Sequence, residues 1–258
     1  MFTRYRPEVK FRSPRVRSNV AHPKAFDTVS SELTPGPIYL YSICPRPQQP
    51  LTLPLGLAEP TQLIAVDNIA AVVETGVDLE TLQTDEPRLL NAVLSHDRVI
   101  CELFQTTPLL PLRFGTQIAS LDHLKAHLAT QGADYAAKLE ALAHKAEYQL
   151  KLVAQTVELP PVAAGLTGRD YFLAKKQRLE DQTTTQEQQQ AELAQVLDHI
   201  YSAYSDCLEA EGPAGEARVY ILVDREDETL LQQVEEWRSQ APHWTLILSE
   251  PLPPYHFV

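Results

Sequence analysis

The first clear pattern along the chain is an apolar run at residues 38–43, which lies between Pro37 and Pro45. A β-rich run bounded by prolines predicts a buried strand. Three prolines follow within residues 45–50. Because each proline fixes its own φ and biases the preceding residue away from helix, we expect a stiff loop there. Docking of this segment in an aromatic groove is the alternative interpretation.

Two further apolar runs, residues 63–66 and 69–74, are separated only by Asp67 and Asn68. Both residue types tolerate the positive φ of a tight turn, so the pattern predicts a β-hairpin.

The spacing of apolar residues then changes to that of a helix. Asp85 can cap its N-terminus, and Pro87 suits its first turn. We expect its apolar face to cover the sheet. The residues of this predicted face are Leu89, Leu90, Val93, Leu94, Ile100, Leu103 and Phe104.

Residues 107–116 combine an apolar run with two prolines, Arg113 and Gly115. We interpret this stretch as the last strand of one domain and the exit into the next. An arginine inside an apolar strand is costly unless it pairs with an acid. Arg113 is therefore expected to form an ion pair that joins the two halves, or to be a functional residue.

The second half begins with a predicted helix at residues 121–128, and Gly132 is expected to separate it from another helix that extends to residue 142. Between residues 148 and 154 apolar and polar positions alternate, which predicts a half-buried strand. Pro160-Pro161 and Gly165 then predict a loop.

A long helical stretch is predicted to start at Thr167 or Gly168. Residues 182–190 within it have no apolar face, so either the helix projects into solvent or two helices meet at an elbow. The apolar positions of this stretch are Tyr171, Phe172, Leu173, Leu179, Leu193, Val196, Leu197, Ile200, Tyr204 and Leu208.

A strand at 218–223, a helix at 230–237 and a strand at 244–248 complete an alternating strand and helix pattern. The proline-rich tail after residue 250 is excluded from helices and central strands. Tyr255 and Phe257 are expected to be an apolar plug that ties the tail to the second domain, with an exposed partner patch as the alternative.

Composition divides the chain into three parts. The 258 residues are 44% apolar, which is enough for two cores. Residues 1–35 carry seven basic and three acidic side chains without periodicity, and are expected to form a disordered basic extension. We expect an N-terminal domain at 36–117 and a C-terminal domain at 118–258. The net charge of −12 leaves −16 for the part after the extension, and so acidic a body repels nucleic acid.

The three cysteines and the hydropathy favour a cytoplasmic protein. Cys44, Cys101 and Cys207 are far apart and form no C-x-x-C pair, which fits a reducing compartment. No apolar run approaches the roughly 18 residues of a membrane span, and the N-terminus lacks an apolar signal core.

A search for chemistry finds no pattern that predicts an active site. The nine glycines form neither of the common phosphate-binding motifs. His123 and His127 share a helical face, but Leu124 stands where a zinc hydrolase has its glutamate, so we interpret both as surface residues. The acidic run at 224–228 is interpreted as helix capping. We expect no catalytic residue, metal or cofactor.

Six stretches together resemble the gas vesicle protein GvpF/GvpL family, in an order that covers residues 36–258. They are Ile38-Tyr39-Leu40-Tyr41, Ala70-Ala71-Val72-Val73, His96 followed by Val99, Pro111-Leu112-Arg113-Phe114-Gly115-Thr116, Gly168-Arg169-Asp170-Tyr171-Phe172-Leu173, and Pro253-Pro254-Tyr255-His256-Phe257-Val258. This chain departs from the family with Glu250-Pro251-Leu252, where Gly-Pro and a Trp are usual, and with Glu147-Tyr148, where a Glu-Trp pair is usual.

The resemblance implies an α+β fold of two domains: a modified ferredoxin-like N-terminal domain, and an α/β C-terminal domain with a long helix or helical hairpin. It also implies a non-enzymatic, minor structural or accessory protein of the gas vesicle, located in the cytoplasm. Such a protein is expected to bind the hydrophobic shell protein GvpA and to assist nucleation or prevent aggregation, with other gas vesicle proteins as further partners. An enzyme or small-molecule regulator built on a ferredoxin-like domain is the alternative. The family-motif positions carried over are Arg113, Phe114, Gly115, Gly168, Arg169, Tyr171, Pro253, Pro254, Tyr255 and Phe257.

Overall fold

The structure, a computed structural model, describes residues 36–156, 165 and 167–258. The predicted extension at 1–35 and the proline pair at 160–161 lie outside these residues. The strands are β1 (Ile38–Pro45), β2 (Gln62–Val66), β3 (Ile69–Thr75), β4 (Leu110–Pro111), β5 (Gln117–Ile118), β6 (Lys145–Ala154), β7 (Cys207–Glu211), β8 (Glu216–Asp224) and β9 (Trp244–Leu248). The helices are α1 (Leu79–Gln83), α2 (Glu86–Phe104), α3 (Leu121–Ala141), α4 (Gly168–Ala203) and α5 (Thr229–Gln240). The predicted α+β class with a long helix is confirmed.

The N-terminal layer is an antiparallel sheet in the order β2-β3-β1-β4, with β5 paired to the other end of β1. Asp67 has a φ of 52° in the β2–β3 turn, so the hairpin prediction is confirmed. Alternate residues of β1 and β3 face opposite sides. One face packs against α2 and the other against α3, which buries β1 on both sides.

Helix α2 starts as predicted, since the Asp85 side chain accepts a hydrogen bond from the Arg88 backbone N–H. Its predicted apolar face is wrong over the first half of the helix. Ala92 and His96 face the sheet there, whereas Leu90, Val93 and Leu94 are exposed. The buried positions of α2 recur every three or four residues, which turns Leu90 and Leu94 to the opposite side.

The predicted strand at 107–116 is reduced to the two residues of β4. Prolines at 108 and 111 remove two backbone donors from a ladder, and the chain then turns at Gly115, whose φ is +87°. Arg113 is exposed in this turn, so its predicted position inside an apolar strand was wrong.

Helix α3 runs without interruption through Gly132, so the predicted break was wrong. A helical glycine costs only about 1 kcal/mol relative to alanine, and burial of Leu124, Leu128 and Leu139 offsets this cost. The helix packs on the N-terminal sheet. A domain division at residues 117 and 118 stays a prediction.

The C-terminal layer is an antiparallel sheet in the order β7-β8-β6-β9. Its element order, β6-α4-β7-β8-α5-β9, is the split βαβ order of a ferredoxin-like fold. The family resemblance implies a modified ferredoxin-like domain in the N-terminal half, and strand β7 was not predicted. Leu208, which was assigned to the preceding helix, lies in β7.

Helix α4 is continuous over 36 residues and includes the polar tract at 182–190, so the elbow alternative is wrong. Only its C-terminal part packs on the sheet, through Val196 and Ile200. At 1.5 Å per residue the helix is about 54 Å long, longer than the sheet that it covers.

Candidate interaction surfaces

The C-terminal tail is held by a buried carboxylate of β6. Glu147 Oε2 accepts a hydrogen bond from the His256 backbone N–H at 2.8 Å, and Oε1 accepts one from His256 Nδ1 at 2.7 Å. Glu147 and Leu252 also exchange two backbone hydrogen bonds, and the His256 ring stacks on Tyr220 with centroids 3.6 Å apart. The tail therefore runs alongside β6 as an ordered segment.

The two predicted plug residues connect this tail to the N-terminal layer. The Tyr255 hydroxyl donates to Asp97 Oδ1 on α2 at 2.5 Å, and Cys101 Sγ lies 4.0 Å from the same hydroxyl. Burial and the hydrogen bond to Asp97 raise the pKa of Tyr255. Phe257 packs on the core between the first sheet and α3. The plug interpretation holds, but the plug contacts the first layer and not only the second, while Pro253 is buried beside it.

An arginine clips the two layers together, but it is Arg225 and not Arg113. Its guanidinium lies 3.5 Å from the centroid of the Phe104 ring, and Nη1 donates to the Phe104 carbonyl at 3.0 Å. Phe104 ends α2, and Arg225 follows β8. No sequence pattern pointed to Arg225, because it lies within an acidic run that was interpreted as capping. Asp227, one residue before the N-cap Glu228, accepts a hydrogen bond at 2.8 Å from the N–H of Thr229, the first residue of α5.

The motif residues Phe114 and Gly115 belong to a buried aromatic network. His96 Nε2 donates to the Leu112 carbonyl at 2.9 Å, so Nδ1 accepts from the Tyr39 hydroxyl at 2.8 Å. Gly115 N–H donates to the same hydroxyl at 3.3 Å, and the Phe114 ring lies 5.7 Å from that of His96. Burial lowers the pKa of His96 and raises that of Tyr39 to about 12. The network is internally paired and supports the fold.

A second buried carboxylate organises the loop between β1 and β2. Glu74 accepts hydrogen bonds from the backbone N–H groups of residues 57–59 at 2.7 to 2.8 Å, and another from the Tyr41 hydroxyl. Successive backbone N–H groups of this kind form an anion-binding nest. This nest is filled by the protein's own carboxylate, and a Cβ on Gly56 would overlap Glu74 Oε2.

The motif at the start of α4 is a surface feature. Gly168, Arg169 and Tyr171 are all exposed in the first turn of α4, whereas Phe114 and Tyr255 both pack against the buried cluster between the first sheet and α2. The three groups of motif positions therefore do not form one site. They mark the buried aromatic network, the tail and the free end of the long helix.

An apolar stripe is exposed on the outer face of α2. Leu90 and Leu94 are each 59% exposed, Val93 lies between them, and Leu55 lies close by, since its carbonyl accepts from Arg98 one turn further along α2. We name these four residues the α2 stripe. Contiguous exposed apolar side chains of this kind mark interaction surfaces. The hydrophobic pattern does not reveal the stripe, because Leu90 and Leu94 fit the helical spacing expected of a core face.

The described residues show no cluster of side chains typical of a metal site or a hydrolytic active site. His123 Nδ1 pairs with Ser120 Oγ, and His127 Nε2 pairs with the Tyr135 hydroxyl. The described residues hold no group of three or more candidate metal ligands. The grooves found include one of about 380 Å³ beside the middle of α4 and one of about 560 Å³ between α5 and β9. Within the described ranges, no helix is both long and apolar enough to cross a bilayer.

Together, these observations define an α+β protein with two antiparallel sheets. Its exposed apolar side chains are suited to contacts with other proteins. The family model described as "Gas vesicle synthesis protein GvpL/GvpF" matches residues 37–258. The chain therefore belongs to the GvpL/GvpF family of gas vesicle synthesis proteins.

Solved structures share the fold of this chain. The crystal structure of the gas vesicle protein GvpF from Anabaena sp. PCC7120 superposes with a TM-score of 0.62 at 17% identity, and covers 86% of this chain and 95% of that one. The crystal structure of GvpF from Microcystis aeruginosa gives a TM-score of 0.62 at 18% identity, with coverage of 87% and 99%. At these identities the likeness shows the shared fold. Comparison with proteins of curated function gives no significant match.

Proposed function

We propose that this chain is a non-enzymatic accessory protein of the gas vesicle, acting in the cytoplasm, that binds the hydrophobic shell protein GvpA. Binding would assist nucleation of the shell or prevent premature aggregation of its subunits. Family membership gives the gas vesicle context. The observation that carries shell-protein binding is the α2 stripe, an exposed apolar surface on an otherwise acidic chain.

The physical argument combines solubility with apolar contact. A net charge of −12 keeps the chain soluble and disfavours its own association through apolar patches. The α2 stripe offers leucine and valine side chains to an apolar partner, and covering each half-exposed side chain contributes on the order of 1 kcal/mol. The stripe lies on a helix that is fixed to the sheet by Ile100 and Leu103, so it is presented rigidly.

The test is retention of purified GvpA by immobilised full-length protein. We expect Leu90→Glu/Leu94→Glu to reduce retention at least tenfold, because two carboxylates would be buried in an apolar contact. The matched control is Leu208→Glu/Ile247→Glu, which changes two exposed apolar residues of the other sheet and should bind like the wild type. Failure of the folded wild type to retain GvpA would refute the proposal, and equal loss in both variants would refute the assignment to α2.

A further inference from the structure

The first part of α4 projects beyond the layer that its last part covers. Gln189 makes the last polar contacts with the sheet: its Nε2 donates to the Gln155 carbonyl at 2.7 Å, and its carbonyl accepts from Trp244 Nε1 at 2.9 Å. From residue 168 to 184, each side chain is exposed except that of Ala174, which is half-buried. We name residues 168–181 the arm.

The arm carries large apolar side chains that nothing in the described structure covers. Phe172 is 72% exposed and Leu179 is 64% exposed, and Tyr171 and Leu173 lie beside Phe172. The arm continues a helix whose last part is packed on the sheet, so its apolar side chains are held in a helical arrangement that a partner can cover. The arm has four basic and three acidic side chains, a formal charge of +1, in contrast to the acidic chain as a whole, and Lys176 pairs with Glu180 within it at 3.5 Å.

A groove at the other end of the same layer has the complementary character. It lies between the start of α5 and the end of β9, and its volume is about 560 Å³. Its apolar lining includes Tyr148, Leu231 and Leu248. Four carboxylates surround this lining, those of Glu226, Asp227, Glu228 and Glu250. Leu231 is 60% exposed, so the apolar part of the groove is open to a partner.

The two arginines of the groove, Arg225 and Arg238, offset two of its four carboxylates and leave the lining with a formal charge of −2. Arg225 stacks on Phe104 and donates to its carbonyl. Arg238 donates twice to the Leu246 carbonyl, at 2.9 and 3.1 Å, and pairs with Glu235. The groove therefore presents an acidic rim to a basic helix.

The arm cannot reach the groove of its own chain. Strand β6 runs from the groove end, where Ser249 N–H donates to the Gln149 carbonyl, to the arm end at Gln155. Helix α4 runs the opposite way and finishes at the groove end, where the Tyr204 hydroxyl donates to Gln233. The arm thus extends away from one end of the layer, and the groove opens at the other.

We propose that the arm of one copy docks in the groove of a second copy, so that the protein associates head to tail. Phe172 and Leu179 would cover the apolar lining, while Lys175, Lys176 and Arg178 would face the carboxylates of the rim. The contact uses two different surfaces, so a one-way contact repeats from copy to copy as a ring or an open chain, whereas a reciprocal exchange of arms closes a two-fold dimer. Its charged part makes association weaker as salt is raised.

The test is the molar mass in solution, measured by light scattering during size-exclusion chromatography over a range of protein concentrations. The wild type is expected to increase in mass with concentration and to return to a monomer in high salt. The arm variant Phe172→Asp/Leu179→Asp and the groove variant Glu226→Lys/Glu228→Lys should each remain monomeric while keeping the wild-type circular dichroism. Leu90→Asp/Leu94→Asp, on α2, is the matched control and should associate like the wild type.

The decisive sample is an equimolar mixture of the two monomeric variants. The arm variant keeps an intact groove, and the groove variant keeps an intact arm, so the mixture should form a 1:1 dimer that cannot grow. Lys175→Glu/Lys176→Glu should likewise restore association with the groove variant. A wild type that is monomeric at every concentration would overturn the proposal, as would a mixture that stays monomeric while the wild type associates.

Discussion

The buried carboxylate of Glu147 accepts both the backbone N–H and the Nδ1–H of His256, at 2.8 and 2.7 Å, and so fixes the tail to β6. Glu192 holds His243 in the same way, at 3.0 and 2.6 Å, and so fixes α4 to the start of β9. Each pair joins segments far apart in sequence through one carboxylate and two donors of one histidine.

Replacing Glu147 tests the first of these pairs. Glu147→Gln keeps the volume but removes the charge and offers only one acceptor oxygen to two donors. We expect a loss of about 1–3 kcal/mol in the free energy of unfolding, since a buried donor is left unpaired. Urea denaturation measures it, with the exposed Glu250→Gln as a control that should stay within about 0.5 kcal/mol of the wild type. An equally small effect of Glu147→Gln would show that the tail is not held through this carboxylate.

The contact between Arg225 and Phe104 should contribute to the coupling of the layers. A double-mutant cycle with Arg225→Met and Phe104→Leu is expected to give a coupling energy of about 0.5–2 kcal/mol. Arg113→Met is the matched control, because Arg113 is exposed in a turn and should change stability by less than about 0.5 kcal/mol. If Arg113→Met lowers stability more than Arg225→Met, the contact between Arg225 and Phe104 does not couple the two sheets.

Two glycine substitutions should have opposite effects on stability. In Gly56→Ala the new Cβ would overlap Glu74 Oε2 and lie 2.8 Å from the Glu59 carbonyl oxygen, so the nest must open and stability should fall by about 2 kcal/mol or more. In Gly132→Ala the Cβ would meet Ile69 Cδ1 at 3.6 Å, an ordinary contact inside a helix, and stability should rise by up to about 1 kcal/mol. Thermal unfolding of both variants measures the difference, and a shared sign would contradict it.

Burial of His96 predicts a specific loss of stability in acid. Because its pKa is lowered in the folded protein, the unfolded chain binds more protons once the pH falls below the ordinary value of 6.5. Neutral His96 therefore makes its full contribution to the free energy of unfolding above pH 6.5. This contribution is lost as the pH falls from 6.5 towards the lowered pKa of His96 in the folded protein.

His96→Gln keeps a donor and an acceptor but cannot be charged, so the slope of stability against pH should decrease between about pH 5 and pH 7. Urea denaturation at several pH values measures this slope. His144→Gln, at an exposed histidine, should leave the slope unchanged. If stability falls with pH as steeply in His96→Gln as in the wild type, groups other than His96 cause the loss of stability in acid.

Elements with strong local signals could be predicted from the sequence. The Asp67-Asn68 turn, the Asp85 cap and the alternation along β6 each depend on neighbouring residues, and all three are present. The wrong predictions concern positions where tertiary packing, and not the local sequence, determines which side chains are buried. Leu90 and Leu94 have core character but face outward, because His96 packs against Tyr39 and Tyr41 of β1 and Ala92 is buried on the same side of the helix.

The candidate sites were harder to predict for a related reason. Glu74, Glu147 and Arg225 stabilise the fold through hydrogen bonds to residues at least 15 positions away in the sequence. A local sequence pattern cannot indicate such distant partners. Strand β7 is short and mostly exposed, so its alternation is weak, and missing it hid the ferredoxin-like order of the C-terminal layer.

The central claim, that this chain acts on the shell protein, is tested most directly by light scattering of GvpA diluted from denaturant with and without the purified full-length chain. The account predicts that the chain changes the onset of scattering in proportion to its concentration: a delay would indicate prevention of aggregation, and an earlier onset nucleation. Leu90→Glu/Leu94→Glu should abolish the change, and Leu208→Glu/Ile247→Glu should preserve it. A scattering curve that is the same with and without an excess of the folded wild type would contradict the account.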